Sequence, residues 1–351
     1  MDHGLDLLDG LPEENERHPR KKRHTGRNVL LALVAIFVVI AAVAGIFVFN
    51  LAHSFDSKSQ KIAQAFPSEV LRPAKATTGA AATAQNILLL GSDSRGDSVD
   101  MASGGSASNQ RSDTMMLVHV PADRKNVYIM SIMRDTWVDI PGHGQAKINA
   151  AMAFGGIPLT VQTLEGMFGT RIDHVAVVDF EGFKAITDAV GGVPVNSPQA
   201  FTTGKFSYSK GVQTLNGDEA LAFVRERHAF ADGDYTRVKD QQLFLKSVIS
   251  KVLTPSVLAN PLKISDVVNT VSPFISVDKS LDAAAMGSLA LELRNIRPSN
   301  VESFTLPTKG TGTSADGQSI VIKDDEAISG ISKALKTDQL GSFLQVSNLV
   351  K

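Results

Sequence analysis

The chain has 351 residues, of which 43% are hydrophobic and 20% are charged, and its formal net charge is −1. A net charge so close to zero argues against nonspecific nucleic-acid binding as the main activity. The chain contains no cysteine, which excludes disulfides, thiolate metal sites and a thiol nucleophile. Its length is enough for one large domain or two small ones.

The N-terminal region predicts a membrane anchor. A cluster of arginines and lysines precedes residues 29–52, which contain no charged side chain. A run of about 20 apolar residues is long enough to cross the hydrocarbon core of a bilayer. The basic flank predicts that residues 1–28 form a cytoplasmic tail and that everything after His53 lies outside the cell. The alternative is a cleaved signal peptide, which the length of the apolar run disfavours.

A linker and one domain follow the predicted transmembrane helix. Residues 53–85 are expected to form an extracytoplasmic stalk or linker, because "AKATTGAAATA" is poor in bulky side chains. We expect residues 86–351 to form one extracytoplasmic catalytic domain. Residues 254–280 give the weakest secondary-structure signal in that domain.

Strands and helices are mixed along the predicted domain. The apolar patterns predict strands at 86–90, 114–120, 126–133, 174–180, 301–306 and 319–322, and helices at 180–190, 217–223, 237–253, 281–295 and 324–336. The turn "PADRK" joins the second and third strands as a hairpin. This mixture predicts an α/β fold, with a mixed sheet covered by helices on both faces.

Charged residues stand at the ends of three predicted strands. Asp93 and Arg95 follow the first strand, Asp113 begins the second and Arg134 follows the third. The hairpin brings Asp113 and Arg134 to one edge of the sheet, and Asp93 joins them if the first strand is antiparallel to the second. Ligands of open α/β sheets bind at such edges, and carboxylates with substrate phosphates suit Mg²⁺. The alternative is a set of ordinary surface ion pairs.

The stretch "FVRERHAFADGDYTRVKDQQ" concentrates guanidinium groups. In an extended segment Arg225 and Arg227 share one face and Glu226 points away, whereas Arg237 and Gln241 share a face at the start of a helix. Cations are unfavourable at a helix N-terminus, so a bound anion would resolve the conflict. One guanidinium group can bind two phosphate oxygens at once, through two parallel hydrogen bonds. The alternative is a structural network with the acidic residues of this stretch, Glu226, Asp232 and Asp234.

Other features leave the chemistry open. The chain has no GxxxxGK[ST], no GxGxxG after a strand, no GxSxG and no HExxH. His228 lies beside the arginines and is a weaker candidate for ligand contact. Five phenylalanines are either core residues or the lining of a lipid cavity, and the sequence does not separate the two: Phe154, Phe180, Phe183, Phe223 and Phe244.

Six stretches resemble the LytR–CpsA–Psr family of cell-wall ligases, and together they cover about residues 86–253. They are "NILLLGSDSR", "RSDTMMLVHV", "SIMRDTWVDIPGHGQAKINAAMAFGG", "IDHVAVVDFEGFKAITDAVGGVPV", "LNGDEALAFVRERH" and "DGDYTRVKDQQLFLKSVI". The resemblance implies an α/β/α domain outside the membrane with a deep apolar tunnel. It also implies transfer of a glycopolymer, with one phosphate, from a polyprenyl-pyrophosphate carrier to a peptidoglycan hydroxyl.

The resemblance assigns roles to single residues. Asp93 and Asp113 would hold Mg²⁺, and both belong to the implied catalytic set together with Arg134, Arg225 and Arg227. The pyrophosphate ligands would be Arg134, Arg225, Arg227, Arg237 and Gln241, with Arg95 and Lys147 as weaker assignments.

The chain departs from the family pattern at three positions. Met133 replaces a common proline, Glu226 replaces a frequent aromatic residue and Asp240 replaces a frequent arginine. We interpret these changes as marks of a subgroup with a different polymer. Two other functions remain open, a polyprenyl-pyrophosphate hydrolase and a non-catalytic, membrane-tethered protein that binds wall polymers.

Overall fold

The computed structural model describes residue 42 and residues 44–92, 112–230, 232–252 and 260–349, without the side chains of Ser112 and Asp113. The chain divides into two units, Met1–Phe49 and Asn50–Lys351. In the first unit the described residues are helical. The predicted tail and most of the predicted transmembrane helix lie outside the described residues. Among the helices that are described, none has the length and apolarity needed to cross a membrane.

The second unit begins earlier than the sequence predicts. Residues 50–58 are helical, and Ile62 and Ala65 are buried in the main core, with 2% and 5% of their surface exposed. Arg72 then forms a buried ion pair with Glu165, with 2.7 Å between Nη2 and Oε1. Part of the predicted linker 53–85 is therefore integral to the domain, because two apolar side chains and one buried guanidinium attach it to the core.

The strands and helices follow one another along the whole second unit. The strands are β1 (Gln60–Lys61), β2 (Gln85–Ser92), β3 (Ser112–Val120), β4 (Val127–Ile132), β5 (Trp137–Ile140), β6 (Gly144–Lys147), β7 (His174–Val178), β8 (Val193–Ser197), β9 (Phe201–Thr203), β10 (Phe206–Tyr208), β11 (Gly211–Leu215), β12 (Ile275–Val277), β13 (Val301–Thr305), β14 (Thr308–Thr313) and β15 (Ser319–Lys323). The helices are α1 (Ala150–Phe168), α2 (Phe180–Ala189), α3 (Gly217–Arg225), α4 (Asp234–Val252), α5 (Pro261–Val271), α6 (Ala283–Glu292), α7 (Asp325–Lys336) and α8 (Leu340–Ser347).

The central sheet is mixed, as predicted. Its order is β1-β12-β7-β2-β3-β4-β13. Strands β2, β3 and β4 are antiparallel neighbours, so the predicted hairpin is confirmed and the first strand is antiparallel to the second. Strand β7 is parallel to β2, and β13 is parallel to β4. Four two-stranded ribbons stand beside this sheet among the described residues, β5-β6, β8-β11, β9-β10 and β14-β15.

Helices cover both faces of the sheet. Successive residues of a strand point to opposite faces, and Leu88 and Leu90 of β2 belong to a core with residues of α1 and α7. Leu89 and Met116 point the other way and pack with Leu245 of α4. The two apolar faces explain why the predicted central strands are apolar at nearly every position.

Helix α1 was missing from the sequence-based prediction. It is interrupted at Gly155 and Gly156, whose backbone angles are not helical, and Pro158 follows within two residues. Such residues normally indicate a turn or a break. Residues from both sides of the interruption are buried against the sheet, so tertiary packing holds this segment helical despite its composition.

Candidate functional site

A cavity of about 780 Å³ lies between the sheet and helices α2, α3 and α4. Its interior is apolar, with Leu89 and Met116 from the sheet facing Phe183 of α2 and Phe244 of α4. Phe180 also contributes to the lining. Three of the five phenylalanines that the sequence left ambiguous thus line a cavity.

The other two phenylalanines have different surroundings. Phe223 is fully buried in a core formed by α3, α4 and the β8-β11 ribbon. Phe154 is 41% exposed and stacks on His143, with 4.5 Å between the ring centroids.

Cationic side chains surround one end of the cavity. Those that line it are Arg134, Lys205, Arg225, Arg227 and Arg237, with His228 beside them. Four of the arginines that the sequence singled out therefore meet at one place, although Arg134 lies about 90 residues before the stretch that holds the other three. We call this group the cationic mouth.

The strand ends define the sheet side of the mouth. Met115 of β3 pairs with Ile132 of β4, and continuing this register by two residues places Asp113 opposite Arg134. Ser92, the residue before Asp93, pairs with Ser112 at a β-bulge. The backbone thus brings Asp113 and the end of β2 to the edge that carries Arg134, and Asp93 follows β2 in the sequence but lies outside the described residues.

One carboxylate links two arginines of the mouth. Asp234 is the first residue of α4, and its Oδ2 lies 3.1 Å from Nη2 of Arg237 and 3.6 Å from Nε of Arg134. Arg237 is buried, with 6% of its surface exposed. A negative charge at a helix N-terminus interacts favourably with the helix dipole, and a positive charge there interacts unfavourably. The carboxylate of Asp234 therefore offsets the unfavourable position of the Arg237 guanidinium. The predicted alternative, a network with local acids, is therefore realised in part.

Arg225 and Arg227 are not in an extended segment as the sequence suggested. Helix α3 continues through Arg225, and the backbone becomes extended only at Glu226. The Arg225 guanidinium lies over the ring of Phe180, with 4.3 Å from Cζ to the centroid. Nε of Arg227 lies 3.3 Å from Nε2 of His228. Both side chains still line the cavity, because the helix ends between them and the chain turns.

Glu226 shapes the turn after α3. Its Oε1 accepts hydrogen bonds from the backbone N–H groups of Arg227, His228 and Ala229 at 2.8, 2.5 and 2.9 Å. Burial alone would raise the pKa of Glu226, but hydrogen bonds from Thr203 and from these three backbone groups outweigh it, so the pKa lies below its ordinary value. The carboxylate organises the loop that carries Arg227.

Gln241 and Arg237 line the cavity from the same side of α4. The Gln241 amide donates a hydrogen bond to the carbonyl oxygen of Val224 at 3.3 Å, which ties α4 to α3. The spacing of four residues gives both side chains a common face, in agreement with the expected helix geometry.

Lys147 and Arg95 differ from the other candidates. Lys147 Nζ lies 3.3 Å from Oδ1 of Asp135, and Lys147 is not among the residues that line the cavity. Arg95, like Asp93, lies outside the described residues. Within the described part of the chain, no group of three or more His, Asp or Glu side chains is arranged to hold a metal ion.

The cavity carries excess positive charge. Five cationic side chains line it against two carboxylates, Asp179 and Glu226. Asp179 caps α2 by accepting a hydrogen bond from the backbone of Gly182 at 2.7 Å, and Glu226 accepts from its own turn. Counting Asp234 and Asp135, the two carboxylates that pair with Arg134, still leaves an excess of one positive charge. In an apolar, partly enclosed space, such an excess favours binding of an anion.

Two lining residues had no sequence signal that placed them. Lys205 and Thr203 stand at the turn of the β9-β10 ribbon, and both line the cavity. A Gly-Lys pair in a turn is common, and only the packing of the ribbon on α3 and α4 brings this lysine to the mouth.

Asp240 does not belong to the cavity lining. It is 2% exposed, and its Oδ2 has no hydrogen-bond partner among the described residues. Burial, together with the nearby charge of Asp232, raises the pKa of Asp240 to about 7. The interpretation of Asp240 as a mark of polymer preference therefore lacks a direct contact with the site.

The fold and the site define an α/β protein in which an apolar cavity opens at an arginine-rich mouth, a combination that suits an amphiphilic anion. The family model described as LytR_cpsA_psr family matches residues 46–337. This match covers more than half of the chain, and the chain belongs to the LytR–CpsA–Psr family, as its motifs suggested.

Curated relatives carry transferase names. One is the polyisoprenyl-teichoic acid–peptidoglycan teichoic acid transferase TagU of Enterococcus faecalis, which is 32% identical over 252 residues, 72% of this chain and 78% of that protein. The TagU of Bacillus subtilis is 29% identical over 324 residues, 92% of this chain and 98% of the relative. These names support glycopolymer transfer as the general function.

A solved structure of similar fold contains a ligand. It is described as TagT bound to LI-WTA, and it matches with a TM-score of 0.60 and 28% identity over 79% of this chain and 99% of that one. The mixed sheet with its helices is thus the fold of solved members of the family.

Proposed function

We propose that this chain is a membrane-anchored phosphotransferase. It moves a glycopolymer, with one phosphate, from a polyprenyl-pyrophosphate carrier to a hydroxyl group of peptidoglycan. The transferase names of the relatives and the ligand-bound TagT structure support this reaction class.

One observation carries the proposal. An apolar cavity of about 780 Å³ ends in a mouth with an excess of positive charge. A prenyl chain attached to a pyrophosphate has the same two parts in the same order. The apolar lining would take the chain, since burial of apolar surface is favourable, and the mouth would take the phosphates.

The reaction follows from these contacts. The acceptor hydroxyl oxygen forms a bond to the phosphorus next to the glycopolymer, and the bond from that phosphorus to the bridging oxygen breaks. Polyprenyl phosphate leaves, and the hydroxyl proton is lost to solvent or a base. Arg134, Arg225, Arg227 and Arg237 would stabilise the charge on the phosphoryl oxygens, and Gln241 would help to orient them. ATP is not needed, because the pyrophosphate bond supplies the driving force.

A magnesium ion bound by two carboxylates is part of this proposal. Asp93 and Asp113 would hold it, and this assignment is supported by the strand register, which brings the backbone of Asp113 and the end of β2 to the edge that carries Arg134. Oxygen ligands from one or two carboxylates together with substrate phosphates are typical for Mg²⁺. When bound, the ion would supply positive charge at the pyrophosphate.

We also place the site outside the cytoplasmic membrane. Residues 29–52 would anchor the chain, with residues 1–28 in the cytoplasm and the domain on the outer side. A tethered domain in that position would reach both a lipid-linked donor in the membrane and the peptidoglycan beyond it.

The decisive experiment identifies the product. The full-length chain in detergent micelles is given a polyprenyl-pyrophosphate-linked glycan and polymeric peptidoglycan, with Mg²⁺ present or removed by a chelator. Muropeptides are then released and analysed by mass spectrometry. We expect a muropeptide that carries the glycan through one phosphate, and we expect it to be lost on chelation and restored by Mg²⁺.

Two results would contradict the proposal. Free glycan phosphate without modified muropeptide would indicate a hydrolase. Binding of the lipid with no product under any condition would indicate a wall-polymer binding or regulatory protein.

A further inference from the structure

A ribbon of two strands stands next to the cationic mouth and has no role in the reaction described above. In β5-β6, Trp137 pairs with Lys147 and Asp139 pairs with Gln145. Val138 and Ile140 are buried, with 3% and 0% of their surface exposed. Because side chains alternate along a strand, Trp137, Asp139, Gln145 and Lys147 share the opposite, outer side of the ribbon. We call this side the ribbon face.

The ribbon face is continuous with the mouth. Lys147 Nζ lies 3.3 Å from Oδ1 of Asp135, and Oδ2 of Asp135 lies 3.5 Å from Nε of Arg134. Arg134 lines the cavity, whereas Asp135, Lys147 and Trp137 do not. The ribbon face is therefore linked to Arg134 through Asp135, and its residues Trp137 and Lys147 lie outside the cavity lining.

The chemistry of the ribbon face suits a sugar ring. The Trp137 indole is held by a hydrogen bond from Nε1 to Oε1 of Gln145 at 3.1 Å, and the residue is only half-buried. A fixed, flat apolar ring can stack on the C–H face of a pyranose. A carboxylate, an amide and an ammonium group beside it can bond to hydroxyl and acetamido groups. Only one of the four side chains is cationic, so a phosphate-rich ligand is less well matched.

The geometry of phosphoryl transfer determines the side from which the acceptor must approach the phosphorus. In phosphoryl transfer the attacking and leaving oxygens lie roughly in line through phosphorus. If the leaving polyprenyl phosphate runs into the cavity, the attacking hydroxyl must arrive from the side away from the cavity. The ribbon face contacts Arg134 through Asp135 and lies outside the cavity lining, so it is a candidate for holding the attacking hydroxyl. The donor sugar is attached to the same phosphorus but off the line that joins the attacking and leaving oxygens.

We propose that the ribbon face binds the acceptor, a β-1,4-linked N-acetylhexosamine chain of peptidoglycan, with Trp137 as its stacking platform. This inference rests on the proposed transferase function. Trp137 acts here as a binding residue that sets acceptor affinity, and no step of the chemistry passes through it.

The first test uses Trp137 as its own probe, because it is the single tryptophan of the chain. The full-length protein in detergent is titrated with chitotetraose, a soluble β-1,4-linked N-acetylglucosamine oligomer, while tryptophan emission is recorded. We expect a saturable change in emission. Gln145→Ala and Asp139→Ala, which both retain Trp137, should weaken binding about three- to tenfold, the size expected for loss of one contact of about 1 kcal/mol. Val346→Ala, an exposed apolar control on α8, should bind like the wild type.

The second test measures transfer at several concentrations of soluble glycan acceptor and of lipid donor. Trp137→Ala should raise the KM for the acceptor about three- to tenfold and leave the KM for the donor unchanged, since stacking is lost only with the acceptor. Trp137→Phe should recover part of the loss. Circular dichroism and thermal unfolding verify that each variant is folded.

The outcomes separate this inference from the proposed function. Normal transfer with unchanged acceptor KM in Trp137→Ala, or emission that does not respond to chitotetraose, would overturn the acceptor site and leave the transferase intact. A raised donor KM instead would assign the ribbon face to donor sugars and also overturn it. Saturable, Gln145-dependent binding in a protein that forms no transfer product would uphold the glycan site and contradict the transferase.

Discussion

Three of the four arginines of the mouth, Arg225, Arg227 and Arg237, are held in place by different contacts. Arg237 is buried and paired with Asp234, and Arg225 lies over Phe180. Arg227 follows the helix end and is oriented by a turn that Glu226 organises through three backbone hydrogen bonds. Of these three arginines, Arg227 therefore contributes least to the folded structure. Its substitution is the most direct test of a role in the reaction.

Arg227→Ala should lower the transfer rate about 10²–10³-fold, as expected for removal of one charged contact to a developing anion. Asp113→Ala should cause a similar loss if it holds Mg²⁺. Transfer is measured by the mass of the modified muropeptide, and thermal unfolding verifies the fold. Arg294→Ala removes an exposed arginine on the surface and should have no effect. Wild-type rates in both folded site variants would contradict the assigned roles.

Asp240 is a destabilising residue at neutral pH. Burial raises the pKa of this carboxyl to about 7, so the folded chain holds the proton more tightly than the unfolded chain does. Between about pH 4, where an ordinary aspartate titrates, and neutral pH, the unfolded state releases its proton first. The free energy of unfolding therefore falls as the pH rises through this range.

Asp240→Asn should remove this dependence. We expect the variant to be more stable than the wild type at pH 8 by an amount on the order of a few kcal/mol, and the two to converge near pH 4. Thermal unfolding of both proteins across this pH range measures the difference. A difference that is the same at both ends of the range would show that Asp240 does not titrate as its burial implies.

At the scale of elements, helix α3 carries Arg225 to the mouth. A capping box begins the helix, in which the Asn216 side chain accepts from the backbone of Glu219 and the Glu219 side chain accepts from the backbone of Asn216. Gly217 then donates its N–H to Asp188 of α2 at 2.8 Å. A Cβ at position 217 would lie 2.7 Å from the carbonyl oxygen of Lys184. The absence of a side chain at Gly217 permits the close contact of α3 with α2.

Gly217→Ala should therefore destabilise the domain by about 1–3 kcal/mol, because backbone atoms of α2 must move. Since α3 positions Arg225, we also expect a lower transfer rate. Gly166→Ala is the matched control, since Gly166 is an exposed helical residue whose added Cβ would meet nothing within 4 Å. Alanine there should be neutral or stabilising by up to about 1 kcal/mol. Equal melting temperatures for the two variants would show that the contact with α2 is not tight.

At the scale of the whole molecule, the sheet and three helices enclose a cavity that no single element forms. Filling it tests the lipid assignment. Ala222 of α3 lines the cavity, and Ala222→Phe should reduce the polyprenyl lipid that co-purifies with the full-length chain and raise the KM for the donor at least several-fold. Ala284→Phe is the control, since it adds the same bulk on the exposed side of α6. It should change neither the amount of co-purifying lipid nor the KM for the donor. Unchanged lipid content in a folded Ala222→Phe protein would exclude this cavity as the prenyl site.

The local sequence determined much of the element structure. The predicted bounds of four strands of the central sheet and of two helices that cover it agree within a few residues with those of β2, β3, β4, β7, α2 and α4. The hydrophobic periodicity and the turn residues that define these elements act over short distances along the chain. Each element can therefore be predicted from its own stretch of sequence. The hairpin of β3 and β4 followed from one turn, and it brought Asp113 and Arg134 to one edge. The roles proposed for the arginines came from the family resemblance.

Contacts between residues distant in sequence determined the features of the fold and the site that local sequence does not predict. The β9-β10 ribbon brings Lys205 to the mouth, the core holds α1 helical across Gly155 and Gly156, and Asp234 pairs with Arg134 a hundred residues earlier in the chain. Whether a phenylalanine lined a cavity or filled a core depended on what packed against it. By itself the sequence determined which residues are available for binding an anion and where strands and helices form, since both depend on neighbours along the chain. Only the tertiary structure decided which of those residues meet, because burial and charge balance depend on neighbours in space.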